Sequence, residues 1–440
     1  MSAFAPFPIS PTKLSLLGVA YALYVFSSLI LTKRKRGLKL EEGRLVYKPV
    51  TVIIPVYNEG EVVLRSIGSI RNVDYPKEAL DVRILDDSDD PESIRLVNDA
   101  VASLLDRGYR VSVERRANRV GGKAGFLREI MGTVKTPYVF VLDSDFRLAA
   151  DAISRAVSAC ESTGASYCQL AWSLEGEGPV AKMQQCMLNY HLSEEQERAA
   201  SSGLPIKING SCVLLNSEDL LSVGSWDDQT VTEDLDLTIR FALSGKRGIY
   251  LPLVGGVGLA TPTFSSFFKQ IKRWVIGNVQ CMMRYGRKLL GAYNTFDSLI
   301  SFSYLFNYSF AFSYFLILAA VLMDLVARGS LMFSFLSLLP AALLLAASMQ
   351  RKCIYAYLAS FAYSVFIASF LVEGLFRRRY GFVRTIKIKG KTKGISRILL
   401  FFAATFFAAL SMWAITISKF SDALLLLAYA LSFIFVTALW

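Results

Sequence analysis

The 440-residue chain is short of the side chains that most metal and redox sites need. It has a single histidine, His191, and six cysteines (Cys160, Cys168, Cys186, Cys212, Cys281 and Cys353) with no CxxC pair. A zinc-ligand set of Cys and His is therefore excluded, and the cysteines read as buried thiols in a reducing compartment. No GxxxxGK[ST] segment is present, which argues against a P-loop kinase or ATPase. Charge is also sparse, at 19% of residues against 53% apolar, so the chain does not read as one soluble globule.

The missing charge leaves six uncharged stretches: Leu14 to Thr32, Ser298 to Met323, Gly329 to Gln350, Cys353 to Val372, Ile398 to Ser418 and Ala423 to Trp440. Each is about long enough to cross a hydrocarbon layer of ~30 Å as a helix. Residues 33–297, between the first and second, have ordinary globular composition. The pattern predicts a multi-pass protein of the cell membrane with one water-facing domain.

The net charge of +12 sits beside the hydrophobic stretches, in "TKRKRG" and "FRRRYGFVRTIKIKGKTKGISR", so its partner is the anionic cytoplasmic lipid surface and not nucleic acid. The N-terminal charges follow the apolar run and no small-residue cleavage site appears, which reads as an uncleaved anchor. The positive-inside rule then makes the water-facing domain cytoplasmic. A spanning helix at 353–372 would put residues 376–397, with nine Lys/Arg and no acid, outside. We expect that helix to lie along the interface, giving five spans, with six as the alternative.

From Val50 onward, strand-like and helix-like patterns alternate. "VTVIIPVYNEG", "LDVRILDDSDD" and "YVFVLDSD" are apolar strands with polar ends, separated by "EVVLRSIGSI", "PESIRLVNDAVASLLDRG" and "KAGFLREIMGTV". This predicts an α/β domain with a parallel sheet covered by helices on both faces. Ligands of such sheets bind beyond the carboxyl ends of the strands. Asn58 and Glu59, Asp86 to Asp90, and Asp143 to Asp145 should therefore share one crevice. Asp143 and Asp145 could hold Mg²⁺ or Mn²⁺ against a diphosphate, though such a triplet is common by chance. Lys123 in "RVGGKAG" is a diphosphate contact or a solvated turn. Gln270, Arg273 and Trp274 share a helical face, which suits phosphate and sugar contacts or a membrane interface. In "TVTEDLDLTIRFALSGK", Thr230 and Glu233 fit a capping box and Asp236 complements the helix dipole, leaving Asp234 with no structural duty.

In order, "LDDSDD", "DSD", "TED" and "QIKRW" resemble the motifs of the membrane-embedded family 2 glycosyltransferases, which include cellulose, hyaluronan and chitin synthases. "PVYNEGEV", "GGKAGFL", "ING" and "VTEDLDLTIR" are similar to the cellulose synthase-like A and C groups, whose products are mannan, glucomannan and the glucan backbone of xyloglucan.

The resemblance implies a GT-A-like, Rossmann-related nucleotide-sugar-binding domain joined to α-helical transmembrane segments. It implies base and ribose contacts at Tyr57, Glu59 and Asp87, and diphosphate contacts at Lys123, Gln270 and Arg273. Metal ligation by Asp143 and Asp145, an acceptor platform at Trp274 and a general base at Asp234 follow from it as well. Trp172, His191 and Glu233 are further acceptor-side candidates. The implied reaction is inverting transfer of glucose or mannose from UDP-glucose or GDP-mannose to a growing β-glycan, with translocation through the helices. The alternative is transfer of a single sugar to a lipid acceptor. The expected divisions are residues 1–47 (anchor and basic linker), 48–262 (catalytic), 263–297 (interfacial), 298–350 (hairpin), 351–397 (interfacial helix and gating-loop-like segment) and 398–440 (second hairpin). Ile271 and Lys272 stand where plant members carry Gln-His, a departure inside the last motif.

Overall fold

The computed structural model describes residues 45–292, 301, 304–306, 309–327, 354–376 and 397–439. The first and third uncharged stretches, the basic linker after the first and residues 377–396 lie outside them.

The chain opens with strand β1 (Val50–Val56), whose apolar residues are buried on both faces, and the short helix α1 (Val63–Ser69). β2 (Leu80–Asp86), α2 (Pro91–Leu105), β3 (Arg110–Glu114), α3 (Gly122–Met131) and β4 (Tyr138–Val141) repeat the alternation. Asp90 caps α2 by accepting the N–H of Ser93 at 2.9 Å, with Pro91 in the first turn. Next come β5 (Arg147–Leu148), α4 (Ala152–Thr163), β6 (Tyr167–Glu175), α5 (Gly178–Tyr190), a π-helical turn (His191–Gln196) and α6 (Glu197–Ser202). β7 (Val213–Asn216), α7 (Ser217–Ser222), α8 (Glu233–Leu243) and β8 (Gly248–Leu259) complete the domain.

The eight strands form one sheet in the order β3-β2-β1-β4-β7-β6-β8-β5. The first four are parallel, with Val50 opposite both Leu80 and Tyr138. The expectation of a wholly parallel sheet is corrected beyond them: β7 runs antiparallel to β4 and β6, and β5 antiparallel to β8. The pattern of β7, "VLLN", is as apolar as that of β4. Apolar runs report burial and not the direction of a neighbour.

Helices cover both faces, as expected. Ile67, Val97, Val101, Ile153 and Val157 pack on one side, and Phe126, Leu127, Ile130, Leu237 and Phe241 on the other. Cys160, Cys168, Cys212 and Cys281 are buried free thiols, whereas Cys186 is disulfide-bonded. That corrects the reading of Cys186 as a thiol, which rested on the lack of a CxxC pair alone. Cys353 lies outside the described residues.

Helix α9 (Phe264–Ala292) then joins the domain to apolar helices α10 (Ser309–Ala327), α11 (Ile354–Phe376), α12 (Arg397–Thr416) and α13 (Phe420–Leu439). Near its start α9 buries Phe264, Phe267, Phe268, Ile271 and Val275 among the apolar helices; further on it buries Cys281, Tyr285 and Leu289 against the sheet domain. Among the described residues, α12 and α13 are long and apolar enough to cross a membrane. Their outward faces expose Phe401, Phe402, Phe406, Trp413, Leu424 and Ile434, which water would not favour.

Candidate active site

The polar ends of β1 and β2 are tied together by Asn58, held at φ +51°. Its Oδ1 accepts the N–H groups of Asp89 and Asp90 at 3.0 Å each, and its Nδ2 donates to Asp89 at 2.6 Å. Two of the three predicted polar ends thus meet. On this wall the carboxylate of Asp87 is nearly enclosed and takes two bonds from Arg116, at 2.8 and 2.7 Å. The Arg119 guanidinium lies 3.3 Å above the ring of Tyr57, and its Nε is 3.6 Å from Asp87. Arg116 and Arg119 were not picked out from sequence, although "ERRANR" follows a strand end as the other polar loops do. Glu59 starts the short turn after β1.

The third end follows β4. There the backbone N–H of Asp143 donates to Ser211 Oγ at 3.0 Å. Lys123, on the second residue of α3, donates to Asp143 at 2.7 Å and to the carbonyl of Gly210 at 3.1 Å, and lies 3.7 Å from Glu233. Gly210 has φ +78°, and a Cβ there would stand 3.4 Å from Asp234 Oδ2 and 3.7 Å from Lys123 Nζ. A glycine therefore meets the backbone demand at this point, and a Cβ would make only ordinary contacts. Lys123, Gly210, Glu233 and Asp234 line one small cavity floored by Leu127, Val141, Ile208 and Trp226.

Electrostatics follow from this crowding. Burial, then repulsion from Glu233, pushes Asp234 up to about 6, against the N–H of Leu235 and the charges of Arg273 and Lys123. Burial works to lower Lys123, yet Asp143, Glu233 and Asp234 together hold it above its ordinary value. Desolvation raises Asp143 against the pull of Lys123. The influence of Arg273 on Asp234 ties the "QIKRW" segment of α9 to this cluster. Trp274 is half-buried with its edge against Phe267, at 6.5 Å between centroids, and Gln270 is half-buried nearby on the same helix.

Asp143 and Asp145 suit a divalent cation as an open, oxygen-only pair. Asp145 Oδ2 accepts the N–H of Leu259 at 3.3 Å, and both carboxylates retain lone pairs for further bonds. Among the described residues no group of three or more His, Cys, Asp or Glu side chains could hold a metal, so the remaining positions would fall to diphosphate and water.

One structural reading is corrected. The capping box at Thr230 and Glu233 is not formed: α8 begins at Glu233 with Thr232 as its cap residue, and Glu233 faces Lys123 instead. Asp236 stands in the first turn of α8 as expected, and it is fully buried and bonded by Arg240, Arg284 and Tyr285. The remaining acceptor-side candidates lie behind the cluster. His191 bridges Glu195 at 2.8 Å and Asn209 at 3.1 Å, next to Gly210, and Trp172 packs edge-on against Phe146 at 5.3 Å. Lys272 pairs with Glu373 of α11 at 2.7 Å, which gives the departure from Gln-His a structural partner.

The parallel half of the sheet, a D-x-D beyond a strand end and an acidic helix start beside a lysine thus stand in one crevice, the arrangement that the resemblance of the motifs implies for a GT-A-like fold. The chain matches the family described as Glycosyl transferase family group 2 over residues 138–376, and Glycosyl transferase family 2 over residues 51–219. It belongs to that family of glycosyltransferases. It is 32% identical over 245 residues to a probable glucomannan 4-beta-mannosyltransferase 9 of Oryza sativa subsp. japonica, covering 54% of this chain and 46% of the relative. It is likewise 32% identical over 244 residues to glucomannan 4-beta-mannosyltransferase 9 of Arabidopsis thaliana, covering 54% and 46%. The chain thus spans about half the length of the curated relatives it matches. Among solved structures it is similar in fold to the mannosyltransferase PcManGT from Pyrobaculum calidifontis in complex with GDP-Man and Mn²⁺. There the TM-score is 0.61 and the identity 20%, over 82% of this chain and 99% of that one.

Proposed function

We propose that this protein is an inverting membrane glycosyltransferase that moves mannose from GDP-mannose to the end of a β-linked glycan, with Asp234 as the general base. The observation that carries the reading is the gathering of Asp143, Lys123 and Asp234 around Gly210. Mannose is preferred over glucose because the curated relatives are named as glucomannan mannosyltransferases and the fold neighbour was solved with GDP-Man.

In this reading Tyr57, with Arg119 across its ring, forms the shelf for the base, and Glu59 and the Asp87–Arg116 pair border the ribose. Asp143 and Asp145 would hold Mn²⁺ or Mg²⁺, which when bound would supply charge neutralisation for the departing diphosphate. Lys123, Gln270 and Arg273 add positive charge and hydrogen bonds there. Trp274 offers its ring to the acceptor sugar. The acceptor hydroxyl attacks the anomeric carbon from the face opposite the diphosphate, and Asp234 takes its proton as the bond forms. A base raised to about 6 suits this task, being ionised at neutral pH yet more basic than an ordinary carboxylate.

In this reading residues 48–262 are the catalytic domain, and the segment 263–297, which begins with α9 (Phe264–Ala292), is interfacial. The exposed apolar side chains of α12 and α13 support insertion in a membrane, and the basic segments beside the apolar stretches favour a cytoplasmic catalytic domain. In this reading α11 lies along the interface; its Glu373 pairs with Lys272 of α9 at 2.7 Å.

The test is purification of the full chain into nanodiscs, incubation with labelled GDP-mannose or UDP-glucose plus Mn²⁺ or Mg²⁺, and sizing of the product. A labelled glycan cleaved by a β-mannanase supports the reading. A single sugar on extracted lipid, or transfer from UDP-glucose alone, overturns it.

A further inference from the structure

The hydrogen bonds that Asp234 receives come from its own helix. Leu235 N–H donates to its carboxylate at 2.8 Å, and Thr238 Oγ1 donates to its carbonyl at 2.8 Å. The position of the carboxylate is therefore the position of the first turn of α8, and what seats that turn sets the site.

The seat is one face of α9. Gly277, Gln280, Cys281, Arg284 and Tyr285 recur at i, i+3, i+4, i+7 and i+8, a single helical stripe. Gly277 lies against Thr232, where a Cβ would come within 2.4 Å of Oγ1. Gln280 Oε1 accepts the N–H of Val231 at 3.1 Å, and Cys281 Sγ is 3.8 Å from Thr232 Oγ1. Arg284 spans two carboxylates, Asp227 at 2.7 Å and Asp236 at 3.3 Å, while Tyr285 donates to Asp236 at 2.8 Å. Arg240 Nε closes the group on Asp236 at 2.7 Å. Two guanidinium groups and two carboxylates balance in charge, and Asp236 itself has no exposure. A buried network of this kind adds little net stability, because desolvation offsets the attraction; a fixed arrangement is its better-attested use.

We propose that Arg284 and Tyr285 are positioning residues, acting through Asp236 to hold Asp234 at a set distance from the Gln270–Trp274 segment about three to four turns earlier on the same helix. This rests on the reading of Asp234 as the base. α9 is then a common ruler: the helix that carries the acceptor-side residues also carries the seat of the carboxylate that deprotonates the acceptor. Nothing else in α8 would need to change for the site to fail if that seat shifted.

The test uses the full chain in nanodiscs, with Arg284→Ala, Arg284→Lys, Tyr285→Phe and Asp234→Asn measured side by side. Acceptor-dependent release of nucleoside diphosphate gives kcat and donor KM, normalised to folded protein. Arg284→Ala is expected to lower kcat at least thirtyfold with donor KM within threefold. Arg284→Lys should recover part of that loss, since a lysine keeps the charge but cannot fork between two carboxylates. Tyr285→Phe should lower kcat severalfold. If Arg284→Ala fails to fold, Tyr285→Phe decides, as it removes one hydroxyl from a buried site. Unchanged kcat in the foldable variants, or kcat and donor KM falling together, overturns the positioning role. If Asp234→Asn is inactive while these variants are fully active, the positioning role alone fails. If Asp234→Asn keeps full turnover, the base assignment fails and takes this inference with it.

Discussion

Gly277→Ala is the smallest change that reaches the reacting groups through packing alone. The new Cβ would stand 2.4 Å from Thr232 Oγ1, 2.5 Å from its Cγ2 and 2.8 Å from its Cβ. Carbon contacts relax at about 3.5–4.0 Å, so Thr232 must retreat by about 1 Å. Thr232 caps α8 two residues before Asp234, and α8 moves with it. A 1 Å displacement of a catalytic group costs about 10²-fold in rate. Stability changes less: overpacking costs about 1–3 kcal/mol, and alanine in place of glycine in a helix returns about 1 kcal/mol. The assay is single-turnover transfer at saturating donor, with donor affinity measured separately by titration. We expect transfer to fall about a hundredfold with donor affinity within threefold. Adding Thr232→Ala, which removes the two closest atoms, should restore part of the rate. Transfer within threefold of the parent in Gly277→Ala would refute the claim that this contact sets the site.

Three further outcomes are expected. The kcat/KM profile should rise through pH about 6 and level above it, because Asp234 must be ionised to accept a proton; Glu233→Gln, by removing the repulsion that helps raise it, should move that limb to lower pH. Arg116→Ala leaves the enclosed Asp87 carboxylate without its two-bond partner, so a thermal melt should show destabilisation of about 3–5 kcal/mol. Chelation with EDTA should abolish transfer, and Mn²⁺ or Mg²⁺ should restore it, while Asp145→Asn should raise the metal concentration needed.

The parallel half of the sheet was readable because β1, β2 and β4 are buried on both faces and end in polar loops, and that same pattern brought Asn58, Asp87 and Asp143 to one end of the sheet. The antiparallel half was not, because "VLLN" reports burial without direction. Asp234 stood out as an acid beyond the needs of a helix start, and burial with repulsion from Glu233 raises it above an ordinary carboxylate. The reading around it was partly mistaken, since local spacing assigned Glu233 to a capping box and saw in Asp236 only a charge at the helix dipole. Tertiary contacts to Lys123 on α3 and Arg284 on α9 act on them as well, from positions 110 residues upstream and 48 downstream in the chain. Arg116 and Arg119 were overlooked for the same reason: their meaning lies in partners at Asp87 and Tyr57, far away in sequence.

The central claim is that Asp234 takes the acceptor's proton during transfer from GDP-mannose. Its most direct test is the rate of acceptor-dependent GDP release by the parent and by Asp234→Asn, with GDP-mannose binding measured on both. A loss of about 10²–10⁴-fold in rate with binding intact is the predicted result. Equal rates, or a loss fully accounted for by weaker GDP-mannose binding, would contradict it.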